Sequence, residues 1–433
     1  MPFHPHDLLK RLRAILPSET REVCVGFSGG LDSTVLLCAL AEIRCDSALN
    51  LRAIHVNHGL QADAASWASR CEQLCDQLGI PLHSFSVSVQ PSGEGVEAAA
   101  RDVRYNLFRS ELREREVLLT AHHADDQLET VLLALVRGSG VRGLASMPSL
   151  QPLGRGFHCR PLLDVDREAL HAWARAQGLQ WIEDRSNQNP SFDRNYLRLA
   201  VVPALRRRWP AIAHAAARTA QHLGEATELL DELAARDLAE VGLDRCLHVR
   251  KFERLSSARR RNVLRAWLRQ HGARAPSARK LAAIEHDVLH AAFDRTPCIE
   301  CDGVSIRRHR DLLYCTRPMP QIPQHDLTWN PQQPLHLAEL GALVAHMDSP
   351  RANRLWIVRF REGGEAVPVG AHHRKLKHLL QQQNVLPWWR SAVPLVYDAD
   401  ELIAVGDLWV HPGAQLLIRW EDRPDLLARS TED

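Results

Sequence analysis

The sequence predicts an α/β N-terminal domain with a mostly parallel sheet, then a mainly helical domain and a small α+β module. Three observations carry this. Strand-like and helical stretches alternate over roughly the first two hundred residues. From about Ile212 to His290 the chain turns helical and rich in Ala, Leu and Arg, then gives way to short strand-like pieces up to Cys315. A proline-rich connector, RPMPQIPQHD at 317–326, separates these from a last stretch dense in Val, Ile and Trp. The domains expected on this basis are 1–212, 213–318 and 327–433.

Taken in order, an apolar strand at Glu22–Phe27 runs into Ser28-Gly29-Gly30-Leu31-Asp32-Ser33, and helical apolar spacing follows from Ser33 to Ile43. Leu51–Val56 reads as the next strand and Ala64–Leu78 as a helix. A helical stretch covers 97–108, Glu116–Thr120 is strand-like, and TAHHADDQLETVLLALVRGSG (120–140) leaves that strand end for an amphipathic helix. In open α/β sheets ligands sit at the carboxyl ends of strands. The polar residues gather there: Ser28 to Ser33, then Asn57-His58-Gly59, then His122-His123 through Glu129. In the last hundred residues, WIVRFREGGE, LKHLLQQQ and PLVYDADELIAVGDLWV supply strands around a short helix.

The loop at 28–33 has the makings of a phosphate grip. Gly29 and Gly30 permit positive φ and close backbone approach, so successive amides can form an anion nest at the positive end of the following helix. Ser28 and Ser33 add hydroxyls. Asp32 would repel a phosphate unless a divalent cation bridged them, which makes it a candidate magnesium ligand. A Walker loop needs a lysine for the β- and γ-phosphates, yet Lys10 is the only lysine before Lys251. Attack at the α-phosphate, with pyrophosphate leaving, suits such a loop better than γ-phosphoryl transfer. A plain capped Gly-Gly turn is the competing structural reading.

Composition narrows the class. The 433 residues are 45% hydrophobic and 24% charged, with no low-complexity tract and no apolar run long enough to span a bilayer. The N-terminus, MPFHPHDLLKRLRAIL, has an amphipathic pattern and no signal-peptide core, so a cytoplasmic protein is expected. The ten cysteines lie mostly in apolar contexts and read as small core residues in a reducing compartment. That includes the helical pair Cys71 and Cys75 and the CxxC at Cys298–Cys301, which falls in a strand-like hairpin. With a net charge of only +2, nucleic-acid affinity must come from local patches: Arg206–Arg208, Arg259–Arg261 with Arg265 and Arg269, and Arg307-Arg308 with Arg310.

Three constellations carry chemistry. Asp126 and Glu129, three apart, share a helical face near His122 or His123, and fit a second magnesium carboxylate and a proton acceptor better than any established zinc spacing. Arg101 and Arg104 lie three apart beside Ala98–Ala100, where a guanidinium can reach a phosphate in a groove, or else pair with Glu97 or Asp102. In EDRSNQNPSFDRNYLRLAVVP (183–203), Glu183, Asp184 and Asn187 precede Arg194 and Arg198, four apart on one helical side, with Pro203 marking the helix's end or a kink.

Together these stretches resemble the PP-loop ATP pyrophosphatase superfamily, through SGGLDS, and within it the tRNA(Ile)-lysidine synthetases. The narrower likeness rests on VNHGL (56–60), EAAARDVRY (97–105), TAHHADDQLET (120–130), RGSG with GLASM (137–147), RPLL (160–163), and EDRSN followed by RNYLR (183–198). VRFREGGE and LKHLLQQQNVLPWWR are similar to the closing domain of the longer members. Gln61, where an arginine is usual, departs from the pattern and touches one secondary contact.

The resemblance implies an adenine nucleotide α-hydrolase-like fold and a two-step reaction. The C2 carbonyl oxygen of the wobble cytidine in a CAU anticodon attacks the α-phosphate of ATP, and the ε-amine of free lysine then displaces AMP. It also implies site residues: Ser28, Gly29, Gly30, Leu31, Asp32 and Ser33 around the phosphates, and adenine against backbone groups near Val56 and Asn57. Asp32 and Asp126 are implied for magnesium and lysine, Arg101 or Arg104 for the reactive phosphate and base, and Arg194 or Arg198 for the adenylated intermediate. A lysine amine with a pKa of about 10.4 is neutral roughly once in 2,500 molecules at pH 7, so the second step wants a proton acceptor, Asp126 or Glu129.

The implied partners are tRNA(Ile), L-lysine and ATP with Mg2+; no membrane is involved, and a homodimer is left open. Rival readings are a tRNA thiolase, which needs a cysteine set near the site, an amidotransferase ligase, which needs an ammonia source, and a tRNA-binding protein with an inactive nucleotide site.

Overall fold

A computed structural model describes residues 2–57, 64–88, 96–183, 189–273, 276–289, 296–347, 354–369 and 372–429. His58, Gly59 and Gln61, together with Asp184 and Asn187, lie outside the described residues, as do the side chains of Glu97 and Ala98. The chain forms two compact units, residues 1–229 and 230–433.

In the first unit the order is α1 (Pro5–Ile15), β1 (Glu22–Gly26), α2 (Leu31–Glu42), α3 (Arg44–Ser47), β2 (Asn50–Asn57), α4 (Ala64–Leu78), β3 (Leu82–Ser86), α5 (Val96–Glu111) and β4 (Val117–Leu119). Then come α6 (Ala124–Val136), α7 (Val141–Leu144), β5 (Leu150–Leu153), β6 (Gly156–Cys159), α8 (Arg167–Ala176), α9 (Asp193–Tyr196), α10 (Val202–Arg208) and the start of α11 (Ile212–Val241). The sheet runs β3-β2-β1-β4-β6-β5, all pairs parallel except β5 with β6.

Period-two alternation puts opposite faces of each central strand into different cores. Val23, Val25, Ala53, Val117 and Leu119 face one core with α2, while Cys24, Ile54 and Leu118 face another with Phe108 of α5. Both faces are covered, as a parallel sheet requires. Helix α2 is buried nearly all round, from Ser33 through Leu40, so it is a core helix rather than an amphipathic one. It begins at Leu31, two residues earlier than the apolar spacing suggests, because Gly30 takes the extended N-cap conformation (φ −73°).

The chain steps outward from β1 through β2 to β3, then crosses back to place β4 on the other side of β1. The loops after β1 and β4 therefore diverge and leave a crevice at their carboxyl ends, the topological switch point.

After α9, residues Leu197–Val201 form a π turn that runs straight into α10. Pro203 accounts for it: the ring lacks an N–H and clashes with the carbonyl four residues back, at Leu199, so the turn widens. Pro203 thus sits within a continuing helical path rather than at its end.

In the second unit, β7 (Gly242–Leu243), β8 (Cys246–His248), β9 (Cys298–Cys301), β10 (Val304–His309) and β11 (Leu312–Thr316) form a sheet ordered β7-β8-β11-β10-β9. The CxxC does lie on one strand of a hairpin, with Cys301 in the core and Cys298 exposed. Leu313 faces the helices at Ser257–Gln270 and Ala278–Ala283, whereas Leu312 and Tyr314 face the C-terminal core with Trp329, Trp356, Trp388 and Trp420. That core spans the connector at 317–326, which carries no regular structure: the Tyr314 hydroxyl accepts the Arg429 N–H (3.2 Å) and its ring meets Trp388 at 5.3 Å. Antiparallel strands at 356–359, 395–398 and 401–405 and a helix at Leu376–Gln382 complete it.

Candidate active site

The crevice is walled by the 28–33 loop on one side and the start of α6 on the other. Gly29 takes φ +81°, and a Cβ there would fall 2.7 Å from Ile182 Cδ1 and 2.9 Å from Cys71 Sγ, so only glycine fits. Gly30 does not need a positive φ; that expectation holds for Gly29 alone, since Gly30 is the helix N-cap. The serines organise the turn. Ser33 Oγ accepts the Ser28 N–H (3.3 Å) and donates to Gly30 O (3.0 Å), and the two hydroxyls are 3.0 Å apart.

Asp32 follows in the first turn of α2. Its Oδ1 is buried and accepts no hydrogen bond among the described residues, while Arg167 Nε stands 3.7 Å away. A carboxylate oxygen held without a donor at a crevice mouth is the donor type a hard cation takes. No cluster of three His, Cys, Asp or Glu side chains fit for a metal occurs among the described residues. A magnesium ion here would lean on phosphate oxygens and water for its remaining ligands.

Across from it, His123 caps α6 and Asp126 Oδ2 accepts the His123 N–H (3.1 Å). His123 Nε2 lies 3.3 Å from Asp126 Oδ2 and 3.6 Å from Asp32 Oδ2, which puts one ring between the two acids expected to handle metal and lysine. Burial opposes a charge on this ring, but Asp126 and Asp32 outweigh it and hold its pKa above the ordinary value. Asp126 moves the other way: burial works against its charge, and His123, His122 and Arg194 overcome that and hold the carboxyl far below the usual range. Such a carboxylate is a weak base.

Glu129, one turn on and 2% exposed, gathers both arginines. Arg194 Nε donates to Oε2 (2.7 Å); Arg198 donates Nε to Oε1 (2.7 Å) and a terminal N–H to Oε2 (2.9 Å). Arg194 also donates to Asp126 Oδ1 (3.2 Å), with Arg198 3.5 Å from the same oxygen. Residues 65 positions apart in sequence are thus joined. The four-residue spacing of Arg194 and Arg198 places both guanidiniums on one carboxylate even though Arg198 sits in the π turn.

Arg101 and Arg104 flank the Tyr105 ring, at 5.2 and 5.9 Å from its centroid, on the α5 side of β4. Val56 and Asn57 end β2, paired with Phe85 and Ser86 of β3. The structure thus brings Asp32, Asp126, Glu129, Arg194 and Arg198 into one network, with Arg101 and Arg104 grouped separately around Tyr105.

Several roles went unread in the sequence. His123 reads there only as a neighbour of Asp126 and Glu129, so its place between two acids is one such role, and Arg167 beside Asp32 is another. Asp125 is a third: it accepts the Arg167 N–H (3.1 Å) and pairs with Arg206, tying α6 to α8 and α10. Arg206 is therefore engaged inside the unit rather than free in a basic patch. An acid doublet after a His doublet was the available signal, since a second acid at a helix start needs its own partner.

A PP-loop domain family matches residues 5–205, a TilS substrate binding domain matches 247–314 and a TilS substrate C-terminal domain matches 357–420. Among similar proteins, a tRNA(Ile)-lysidine synthase of Coxiella burnetii is 40% identical over 93% of this chain and 92% of its own length. Another from Pseudomonas syringae is 44% identical over 93% of each chain. This chain belongs to the tRNA(Ile)-lysidine synthase family. Among solved structures, a U34-tRNA thiolase from Methanococcus maripaludis with its [4Fe-4S] cluster aligns over 51% of this chain and 79% of its own, at 19% identity and TM-score 0.42.

Three cysteines of this unit, Cys24, Cys71 and Cys159, are buried, and burial lifts each thiol to about 12. No described helix is long and apolar enough to cross a membrane.

Proposed function

We infer that this chain ligates L-lysine to C2 of the wobble cytidine of tRNA(Ile) bearing a CAU anticodon, at the expense of ATP, leaving lysidine and converting a methionine-type anticodon to an isoleucine one. The observation that carries it is the Asp32–His123–Asp126–Arg194–Glu129–Arg198 network at the mouth of a lysine-free phosphate loop. Bond by bond, the C2 carbonyl oxygen joins the α-phosphorus as pyrophosphate leaves. The lysine ε-nitrogen then forms its bond to C2, the C2–O bond breaks, and AMP departs with that oxygen. Adenylation converts a carbonyl oxygen into a good leaving group.

Within this reading, Ser28, Gly29, Gly30, Leu31 and Ser33 hold the phosphates, and adenine rests against the backbone near Val56 and Asn57. Arg101 or Arg104 faces the reactive phosphate and base, and Arg194 or Arg198 spreads the charge of the intermediate. Glu129 holds that pair in place. Asp32 would hold Mg2+ with its Oδ1, which accepts no hydrogen bond among the described residues; Asp126, whose oxygens already serve His123 and Arg194, is the lesser donor. When bound, the ion would neutralise charge on the departing pyrophosphate. The ammonium of lysine is attracted by Asp126; of the two acceptors expected, Asp126 is too weak a base for its proton, which goes to Glu129 or water.

For the tRNA body the chain offers exposed Arg207, Arg208, Arg265 and Arg310. Arg259, Arg260 and Arg269 are instead paired with Asp237, Glu285 and Asp231. We propose the three segments 1–212, 213–318 and 327–433 as its functional parts, in a cytoplasmic setting. Whether it works as a homodimer is a matter for sedimentation.

Incubation with ATP, Mg2+, labelled lysine and unmodified tRNA, with thiosulfate or ammonia in parallel, tests the reading. Lysine alone should enter the anticodon nucleoside. Sulfur or ammonia incorporated in its place would overturn it.

A further inference from the structure

Behind the network, two histidines meet one hydroxyl. Thr120 Oγ1 lies 2.7 Å from His122 Nδ1 and 2.8 Å from His158 Nε2. His158 is fully buried, and His122 is half-buried where β4 opens into the crevice. A threonine hydroxyl owns one proton. With the two rings as its hydrogen-bond partners among the described residues, that proton goes to one of them and the other ring donates to the oxygen. Gln151 favours one direction: with its Nε2 3.5 Å from His158 Nδ1, that nitrogen is the acceptor, whereas the flipped amide would reverse the relay. His158 then carries its proton on Nε2 and donates to Thr120. Thr120 in turn donates to His122 Nδ1, which leaves the His122 proton on Nε2.

We propose that Gln151, His158 and Thr120 are positioning residues that fix His122 as a neutral imidazole presenting Nε2–H to a substrate oxygen, so that His122 is a hydrogen-bond donor and not the base of the reaction. This rests on the proposed function for the identity of the oxygen, a phosphate oxygen or the cytidine O2. The reversed relay would expose a lone pair instead.

The surroundings support a neutral pair. Burial is the main cause that pushes His122 down to about 3 and His158 to about 2, and Arg160 and Arg101 add to it for both rings. Only Asp126 pulls His122 the other way. A neutral donor suits this site because it can stabilise developing negative charge without adding to the crowd of guanidiniums. It also takes no proton from the incoming lysine, so that task stays with another group.

The test begins with the wild-type full chain labelled with 15N-histidine, so that no variant need fold. Long-range 1H–15N correlations should show His122 with a protonated Nε2 and an unprotonated Nδ1; the opposite tautomer, or a charged ring at pH 7, overturns the proposal. Thr120→Val should abolish the preference between tautomers and slow single-turnover pyrophosphate release by about tenfold, the equivalent of one hydrogen bond, with KM for ATP little changed. Thr120→Ser should restore both. His122→Gln keeps an N–H near the Nε2 position and should release pyrophosphate faster than His122→Leu; equal rates would overturn the donor role. The tautomer measurement stands even if lysine proves not to be the nucleophile, so failure of the relay and failure of the proposed function are separable.

Discussion

Replacing Glu129 by Gln removes the carboxylate that both arginines grip most closely while keeping its size. Removing one partner of a buried ion pair costs about 3–5 kcal/mol, because the other charge is left buried and uncompensated. The structure argues for a value at or just below the bottom of that range. Arg194 keeps its 3.2 Å hydrogen bond to Asp126, Arg198 is 30% exposed and can draw on water, and Gln retains one acceptor oxygen. A loss of about 2–3 kcal/mol is expected, which for a unit of this size lowers Tm by roughly 4–12 °C. Paired with Arg198→Met the cost should not add. The double variant should be more stable than the sum of the singles by about 1–2 kcal/mol, since the second change removes a charge the first has stranded. Calorimetry of all four proteins reads this, and single-turnover pyrophosphate release reads the misplaced guanidiniums in parallel. Additivity within about 0.5 kcal/mol would refute the clamp.

Further outcomes follow from the same geometry. Asp32→Ala should abolish pyrophosphate release while tRNA binding survives; unchanged release would sink its role with the metal. His158 is buried neutral, with its pKa lowered by burial to about 2, so the unfolded chain binds a proton below about pH 6.5 that the folded chain refuses. Stability should therefore fall by about 1 kcal/mol between pH 6.5 and 5.5 from this group alone, and His158→Gln should flatten that part of the urea-melt profile. Arg259→Met should destabilise the second unit, because Asp237 is 1% exposed and loses its partner, yet leave tRNA affinity nearly unchanged. Neutralising exposed Arg207 and Arg208 should do the reverse, weakening binding and reducing its salt dependence. Filter binding between low and physiological salt separates the two.

The sheet and its crevice were legible because period-two and helical spacing are local signals. Val23-Cys24-Val25 alternates between two cores, and the strand-loop-helix around Ser28 to Ser33 falls where the apolar runs break. The acids and arginines were legible as types at helical spacing, though not as partners. Nothing in the sequence near Glu129 announces that Arg194 and Arg198 meet on it, because that contact depends on a chain reversal between α6 and α9.

Part of the basic patches is engaged for a related reason: Arg259 to Arg261 look like a solvated run until Asp237 and Glu285, from other helices, close on them. The π turn before Pro203 and the Thr120–His158 contact are likewise tertiary. The first arises where a proline meets a helix that continues past it, the second where β4 and β6 pair side by side.

The central claim is that the cytidine oxygen itself is adenylated before lysine arrives. Unmodified tRNA carrying 18O at C2 of the wobble cytidine, incubated with enzyme, ATP, Mg2+ and lysine, tests it by mass spectrometry of the AMP released. One 18O should appear in AMP for each lysidine formed. Lysidine formed with unlabelled AMP would contradict the account.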